Sequence, residues 1–119
     1  MTRFDRHTLV LLTRPRDAPD LPRAELDRIQ DAHLAAQADR YDQGLLVGVG
    51  PFAVADDEPL RGLAVLATDP EHARRLYEAD PAVRAGRLAV QVLTWLVPAG
   101  SLQFVPVAPP RSVAEATAP

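Results

Sequence analysis

The chain has 119 residues and a formal net charge of −3, which is enough sequence for one domain with its own core. It has no cysteine, and all thirteen cationic side chains are arginine because lysine is absent too. These absences exclude disulfides, thiolate nucleophiles, lysine Schiff bases and a P-loop lysine. Hydrophobic residues make up 47% of the chain and charged residues 24%, which excludes a wholly disordered protein.

Charge and hydropathy also limit the partners. Phosphate binding needs clustered positive charge, whereas the arginines here are interspersed with Asp and Glu. The apolar run at 9–12 is too short for a secretion signal or a membrane span. We therefore expect a cytoplasmic protein with neither a nucleic-acid nor a membrane partner.

The first elements follow from the hydrophobic pattern. The apolar run at 8–13 predicts a strand, and the proline-rich segment 14–22 predicts a loop. A long helix is then predicted up to Tyr41, with Asp20 as its N-cap and Gly44 as the residue that ends it. The face expected to pack on the sheet carries residues at three- and four-residue spacing: Leu26, Ile29, His33 and Ala36.

Three further strands are predicted at 45–52, 60–67 and 88–97. Asp69 followed by proline predicts the start of a second helix, and Asp80 followed by proline repeats this signal for a short turn. The resulting order, β-α-β-β-α-β, is that of an α+β ferredoxin-like fold with both helices on one face of the sheet.

The predicted strands are apolar on both faces. In the fourth strand, Val90 and Val92 point one way whereas Leu93 and Trp95 point the other. Two helices cover only one face, and an apolar sheet face needs cover. We therefore expect a homodimer in which two sheets pack face to face as a dimeric α+β barrel.

The C-terminal segment is rich in proline and alanine. Residues 102–107 are compatible with an edge strand that crosses to the partner, since proline is tolerated at a sheet edge. We place the domain at residues 1–107 and expect a flexible Pro/Ala-rich tail at 108–119.

Two residues are the first candidates for chemistry. His33 lies in the middle of the predicted first helix, and histidine is the side chain best suited to proton transfer near neutral pH. The alternative is a core histidine with a satisfied hydrogen bond. Asp80 has an alternative role as a helix cap, but a carboxylate has two oxygens and can do both.

Other sites are weaker. Gly48 and Gly50 share one face of the second strand, where missing side chains leave a depression for a ligand or mark a bulge or close packing. The three histidines lie far apart in sequence, so we expect no metal site. Ser101 and Ser112 lack the elbow motif of a hydrolase.

Three segments together resemble the YciI-like (YCII-related) family: Ala-His-Leu at 32–34, Gly-Pro-Phe at 50–52 and Glu-Ala-Asp-Pro-Ala-Val-Arg-Ala-Gly at 78–86. The ending at 94–100 is similar to the subgroup common in actinobacteria. The resemblance covers about residues 6–104, and the Asp-Pro-x-Val-x-Ala-Gly motif is its most specific part.

The resemblance implies a ferredoxin-like dimer with a histidine and an aspartate in an active-site pocket, at the positions of His33 and Asp80. It also implies action without a cofactor on small aromatic-derived compounds in some relatives, for instance in dehydrochlorination. We thus expect a cofactor-independent lyase, isomerase or hydrolase acting on a small organic molecule.

In this hypothesis His33 is the general base or acid, and Asp80 orients its imidazole and stabilises the charged form. The candidate substrate-binding residues are Arg84, Arg61, Trp95, Gly48 and Gly50. An alternative is a non-catalytic dimeric module of the same fold that binds a small molecule or assembles with other proteins. A third possibility is that the histidine and aspartate are purely structural.

Overall fold

The computed structural model describes residues 3–119, which form one four-stranded antiparallel sheet with helices. The strands are β1 (Phe4–Thr13), β2 (Leu46–Pro51), β3 (Leu60–Leu66) and β4 (Ala89–Pro98), in the order β2-β3-β1-β4. The helices are α1 (Arg23–Asp42), α2 (Pro70–Glu78), α3 (Pro81–Arg84) and α4 (Val113–Ala116). The predicted α+β, ferredoxin-like order is confirmed, with α3 and α4 as short additions. Across residues 3–119, no helix is both long and apolar enough to cross a membrane.

The core lies between one face of the sheet and the helices. Val10 of β1, Leu46 of β2 and Ala64 of β3 are at most 2% exposed and belong to one cluster with Ala73 and Tyr77 of α2. Alternate residues of β1 are buried, as expected for a strand with one face on the core. Removal of this apolar surface from water is the main force that holds the helices to the sheet.

The helix ends confirm most of the predicted signals. Asp69 caps α2 and Asp80 caps α3, each by accepting a hydrogen bond from a backbone N–H in the first turn. The prediction that Asp20 caps α1 is wrong, because the N-cap is Pro22, which makes no side-chain cap bond. Gly44 follows α1 with φ of +76°, a conformation that glycine adopts without strain.

The buried face of α1 differs from the predicted one. Its buried residues are His33, Gln37, Ala38 and Arg40. Leu26 and Ala36 are only half-buried. The reason is that α1 packs against α3 as well as β2, so polar side chains on this face reach hydrogen-bonding partners on α2 and α3.

Within residues 3–119, no helix covers the other face of the sheet, which we call the open face (His7, Leu9, Leu63, Val65, Leu93 and Trp95). Register pairs His7 with Trp95 and Leu9 with Leu93, so these four side chains point to the same side. Leu93 is 38% exposed and Trp95 is 43% exposed. A single chain thus leaves apolar surface uncovered on the face where the sequence predicts a second copy.

The C-terminal segment crosses the open face and returns to α1. The ring of Phe104 lies over Gly48, and its centroid is 6.1 Å from that of His7. Further on, Arg111 forms ion pairs with Asp39 and Asp42 near the end of α1. Residues 102–107 form no strand in this chain, so the edge strand is not seen. The boundary at 107 and the flexibility of 108–119 stay predictions.

Candidate active site

Asp80 is the centre of a buried polar cluster at the junction of α2 and α3. Its side chain is 0% exposed. Its Oδ2 accepts a hydrogen bond from the N–H of Ala82 at 2.9 Å, and its Oδ1 accepts one from Nη2 of Arg40 at 2.8 Å. Nδ1 of His33 lies 3.0 Å from Oδ1 and 2.9 Å from Oδ2. The structure therefore brings the two predicted catalytic residues together, although 47 positions separate them.

The two ring nitrogens of His33 have different surroundings. Nδ1 can donate a hydrogen to the Asp80 carboxylate, which favours the Nδ1–H tautomer of the neutral ring. Nε2 has no hydrogen bond to the part of the chain that the structure describes. It is also not among the buried atoms without a partner there, which are limited to Nε2 of His7. Nε2 of His33 is therefore not fully buried, although the residue as a whole is only 5% exposed.

The negative charge of Asp80 is stabilised by its neighbours. Burial acts to raise its pKa, but hydrogen bonds and charge interactions with His33 and Arg40 outweigh burial and hold the pKa below the ordinary value of 3.8. Asp80 is thus ionised at neutral pH. It can orient the imidazole and stabilise an imidazolium without itself taking the proton.

Three residues of the site were missed by the sequence reasoning: Arg40, Gln37 and Tyr77. Arg40 Nη1 donates to Oε1 of Gln37 at 3.1 Å, and its guanidinium carbon lies 4.2 Å from the centroid of the Tyr77 ring. The hydroxyl of Tyr77 also donates to Oε1 of Gln37, at 2.7 Å. Burial, the largest influence, raises the pKa of Tyr77 to about 12, so this hydroxyl remains a neutral donor.

These three residues, with His33 and Asp80, form what we call the Asp80 cluster. Gln37 and Arg40 follow His33 by four and seven positions, which is the spacing of one helix face. That spacing was a usable signal. It was overlooked because the predicted face continued from His33 through Ala36 rather than through Gln37 and Arg40.

Three of the predicted substrate-binding residues lie away from the Asp80 cluster. Gly48, Gly50 and Trp95 are on the open face, and the sheet separates them from the helices. The depression at Gly48 is filled, because a Cβ there would lie 2.9 Å from Cε1 of Phe104. Nothing lies within 4 Å of a Cβ placed at Gly50.

Neither predicted substrate-binding arginine makes a side-chain hydrogen bond or ion pair to the Asp80 cluster within residues 3–119. Nη1 of Arg61 donates to the carbonyls of Ala55 at 3.0 Å and Glu58 at 2.9 Å. These bonds stabilise the loop before β3. Arg84 is exposed at the C-terminal end of α3. Binding of substrate by these arginines, by Trp95 and by the two glycines stays a prediction.

The other two histidines do not join His33. Nδ1 of His72 lies 2.7 Å from Oγ1 of Thr68 at the start of α2. His7 lies on the open face, with its ring centroid 6.3 Å from that of Trp95. Between residues 3 and 119, no group of three or more His, Cys, Asp or Glu side chains is placed to hold a metal ion.

Comparison with known proteins identifies the family. The model of the YCII-related domain matches residues 8–96, a stretch that contains the whole Asp80 cluster. The chain belongs to the YCII-related family. The predicted resemblance is thereby confirmed. No curated protein matches the chain.

One similar solved structure is the 5-chloro-2-hydroxyhydroquinone dehydrochlorinase of Burkholderia phenoliruptrix, in complex with 2,5-dihydroxybenzoquinone. It is 19% identical, with a TM-score of 0.53, and the match covers 75% of this chain and 92% of that one. At this identity the likeness shows a shared fold.

Proposed function

We propose that this YCII-related protein is a cofactor-independent enzyme that transfers a proton on a small organic molecule through His33. One observation carries the proposal: Nδ1 of His33 is held by a buried carboxylate, while Nε2 makes no hydrogen bond to residues 3–119 and is not fully buried. A general base needs an orienting partner on one side and a free lone pair on the other. Lyases and isomerases commonly begin with such a proton abstraction, and hydrolases use the same arrangement to activate water.

In the proposed reaction, Nε2 of His33 takes a proton from the substrate, and the ring becomes an imidazolium. The Nδ1–H then donates to the negative Asp80, which stabilises the new charge. Arg40 keeps Asp80 ionised, so the proton stays on the imidazole. The ring can return the proton to a different atom, as in an isomerase, or to a leaving group, as in a lyase.

The substrate class is a small organic molecule. The dehydrochlorinase of the same fold was crystallised with a small quinone, which supports this class for the present chain. The low identity carries no further detail of the reaction.

Hydrogen–deuterium exchange tests the proposal without knowledge of the product. Small carbonyl compounds and hydroxylated or chlorinated aromatic compounds are incubated with the protein in heavy water and followed by NMR. We expect the wild type to exchange an acidic C–H of at least one compound or to convert it, and we expect His33→Gln to lose both. Circular dichroism verifies that the variant is folded.

Retained exchange or turnover in folded His33→Gln would overturn the mechanism. Binding of a compound by the wild type with neither exchange nor product would instead favour the non-catalytic binding module.

We also propose that the chain forms a homodimer through the open face, as a dimeric α+β barrel, and that it is cytoplasmic. The support for the dimer is the partial exposure of Leu93 and Trp95 on an apolar sheet face. Sedimentation as a monomer at micromolar concentration would overturn the dimer.

A further inference from the structure

A cavity of about 170 Å³ lies against the N-terminal half of α1. Its wall includes Ile29 and Gln30, one helical turn before His33, and Ala82, whose N–H binds Asp80. Helix side chains lean toward the N-terminus of their helix, so the ring of His33 leans toward this turn. The cavity therefore lies one helical turn from the residue proposed to transfer the proton, and its size suits one end of a small ligand.

The cavity is lined by more positive than negative charge: Arg14, Arg23, Arg87 and Asp27. The one carboxylate is already paired, since Asp27 lies 3.2 Å from Nε of Arg23. Nε of Arg14 donates to the carbonyl of Arg87 at 3.4 Å, and Nη1 of Arg87 donates to the carbonyl of Pro19 at 3.0 Å.

Neither Arg14 nor Arg87 has an ion-pair partner among residues 3–119. Like charges repel more strongly where protein replaces water, so two half-buried guanidinium groups without a counter-ion destabilise the fold locally. Partial burial, followed by the charges of Arg87 and Arg61, lowers the pKa of Arg14. A perturbed and unpaired charge in a cleft is a candidate for ligand binding.

We propose that Arg14 and Arg87 form an anion subsite that binds a carboxylate of the substrate and so presents the rest of the molecule to His33. A guanidinium group matches a carboxylate with two parallel N–H donors, and the ligand charge would neutralise the local excess of positive charge. The assignment of the ligand as substrate rests on the proposed function. Anion binding itself requires no turnover.

The test uses benzoate as the probe and benzamide as its neutral counterpart. Both are titrated against the full chain while the Nε–H signals of arginine are followed by NMR. We expect benzoate to shift the signals of Arg14 and Arg87 saturably, and benzamide to bind at least about tenfold more weakly. Arg14→Gln should weaken benzoate binding by the same factor or more.

Two variants make the result specific. Arg74→Gln, at an exposed position of α2, is the matched control and should bind benzoate like the wild type. Arg14→Lys, which keeps the charge but loses the planar pair of donors, should bind with intermediate affinity and serves if Arg14→Gln does not fold.

Equal benzoate affinity in wild type and folded Arg14→Gln would overturn the subsite, as would equally tight binding of benzamide. Benzoate binding that depends on Arg14, in a protein that exchanges and converts none of the compounds, supports the subsite and separates it from a failure of the proposed enzyme.

Discussion

The two faces of the sheet differ in whether their buried polar groups have hydrogen-bonding partners. On the helix side, Asp80 is fully buried and accepts hydrogen bonds from His33, Arg40 and the N–H of Ala82. On the open face, Nε2 of His7 is buried with no partner among residues 3–119. Burial alone therefore does not mark a functional polar group. What distinguishes the helix side is that partners in the same chain satisfy the buried atoms and leave one ring nitrogen free.

The same contrast applies to the apolar surface. The helix side is packed within one chain, whereas Phe104 of the C-terminal segment lies across part of the open face and leaves Leu93 and Trp95 partly exposed. A buried donor or acceptor without a partner, such as Nε2 of His7, destabilises a fold by about 1–3 kcal/mol. In a single chain, the open face is therefore less well packed and less well hydrogen-bonded than the helix side. Substitutions on each face test this difference.

Arg40→Met should destabilise the helix side strongly. It removes one partner of a buried ion pair and leaves the charge of Asp80 with His33 and one backbone N–H. Breaking a buried pair in this way costs about 3–5 kcal/mol, measured as the loss in free energy of unfolding in urea at neutral pH.

The matched control for that change is Arg75→Met. Arg75 is exposed on α2, and its Nη1 lies 3.7 Å from Oε1 of Glu71, which is also exposed. Ion pairs between exposed side chains contribute little to stability, so Arg75→Met should leave the free energy of unfolding unchanged. Equal stability of Arg40→Met and the wild type would contradict the view that the guanidinium stabilises the buried carboxylate.

Leu93→Arg should weaken the proposed dimer, because it places a charge without a partner in the interface. We expect the dimer dissociation constant to rise at least about tenfold, as measured by analytical ultracentrifugation. Leu96→Arg is the control, since Leu96 is 51% exposed on the opposite side of β4. The same effect from both substitutions would show that the open face is not the specific interface.

The smallest effect is expected on the pH dependence of the free energy of unfolding at acidic pH, where Asp80 becomes protonated. The pKa of Asp80 is lower in the folded than in the unfolded chain, so its charge stabilises the fold above the unfolded value of 3.8. This contribution is lost as the pH falls through the lower, folded value. The free energy of unfolding should therefore decline less steeply below pH 3.8 in Asp80→Asn than in the wild type.

An exposed aspartate provides the comparison for the acid experiment. Asp56 is exposed in the loop before β3. We expect Asp56→Asn to keep the wild-type slope of unfolding free energy against pH. The absolute stability of Asp80→Asn will be lower, so the slope is the informative quantity. An unchanged slope in Asp80→Asn would contradict the lowered pKa.

Local signals in the sequence account for most of the fold. Asp69 and Asp80, each followed by proline, mark helix starts. Aspartate is favoured at the N-cap, and proline is favoured at the first helical position. The path of the tail was not predictable, since it depends on ion pairs of Arg111 with Asp39 and Asp42, about 70 residues earlier in the chain.

The candidate site was predictable only in part. Periodicity placed His33 on a packed helix face, and the family resemblance paired it with Asp80. Arg40 was missed because a buried charge is acceptable only beside a suitable partner, and that partner lies on another element. The spacing within α1 places Arg40 on the same face as His33, but it does not show that a carboxylate on another element pairs with it.

The most direct test of the site is the tautomer of His33, read from the nitrogen chemical shifts of ¹⁵N-labelled histidine at alkaline pH. The account predicts that Nδ1 carries the hydrogen, hydrogen-bonded to Asp80, and that Nε2 is unprotonated and free to accept a proton. A neutral ring with its hydrogen on Nε2 would contradict it, because this nitrogen would then have no lone pair with which to act as a base.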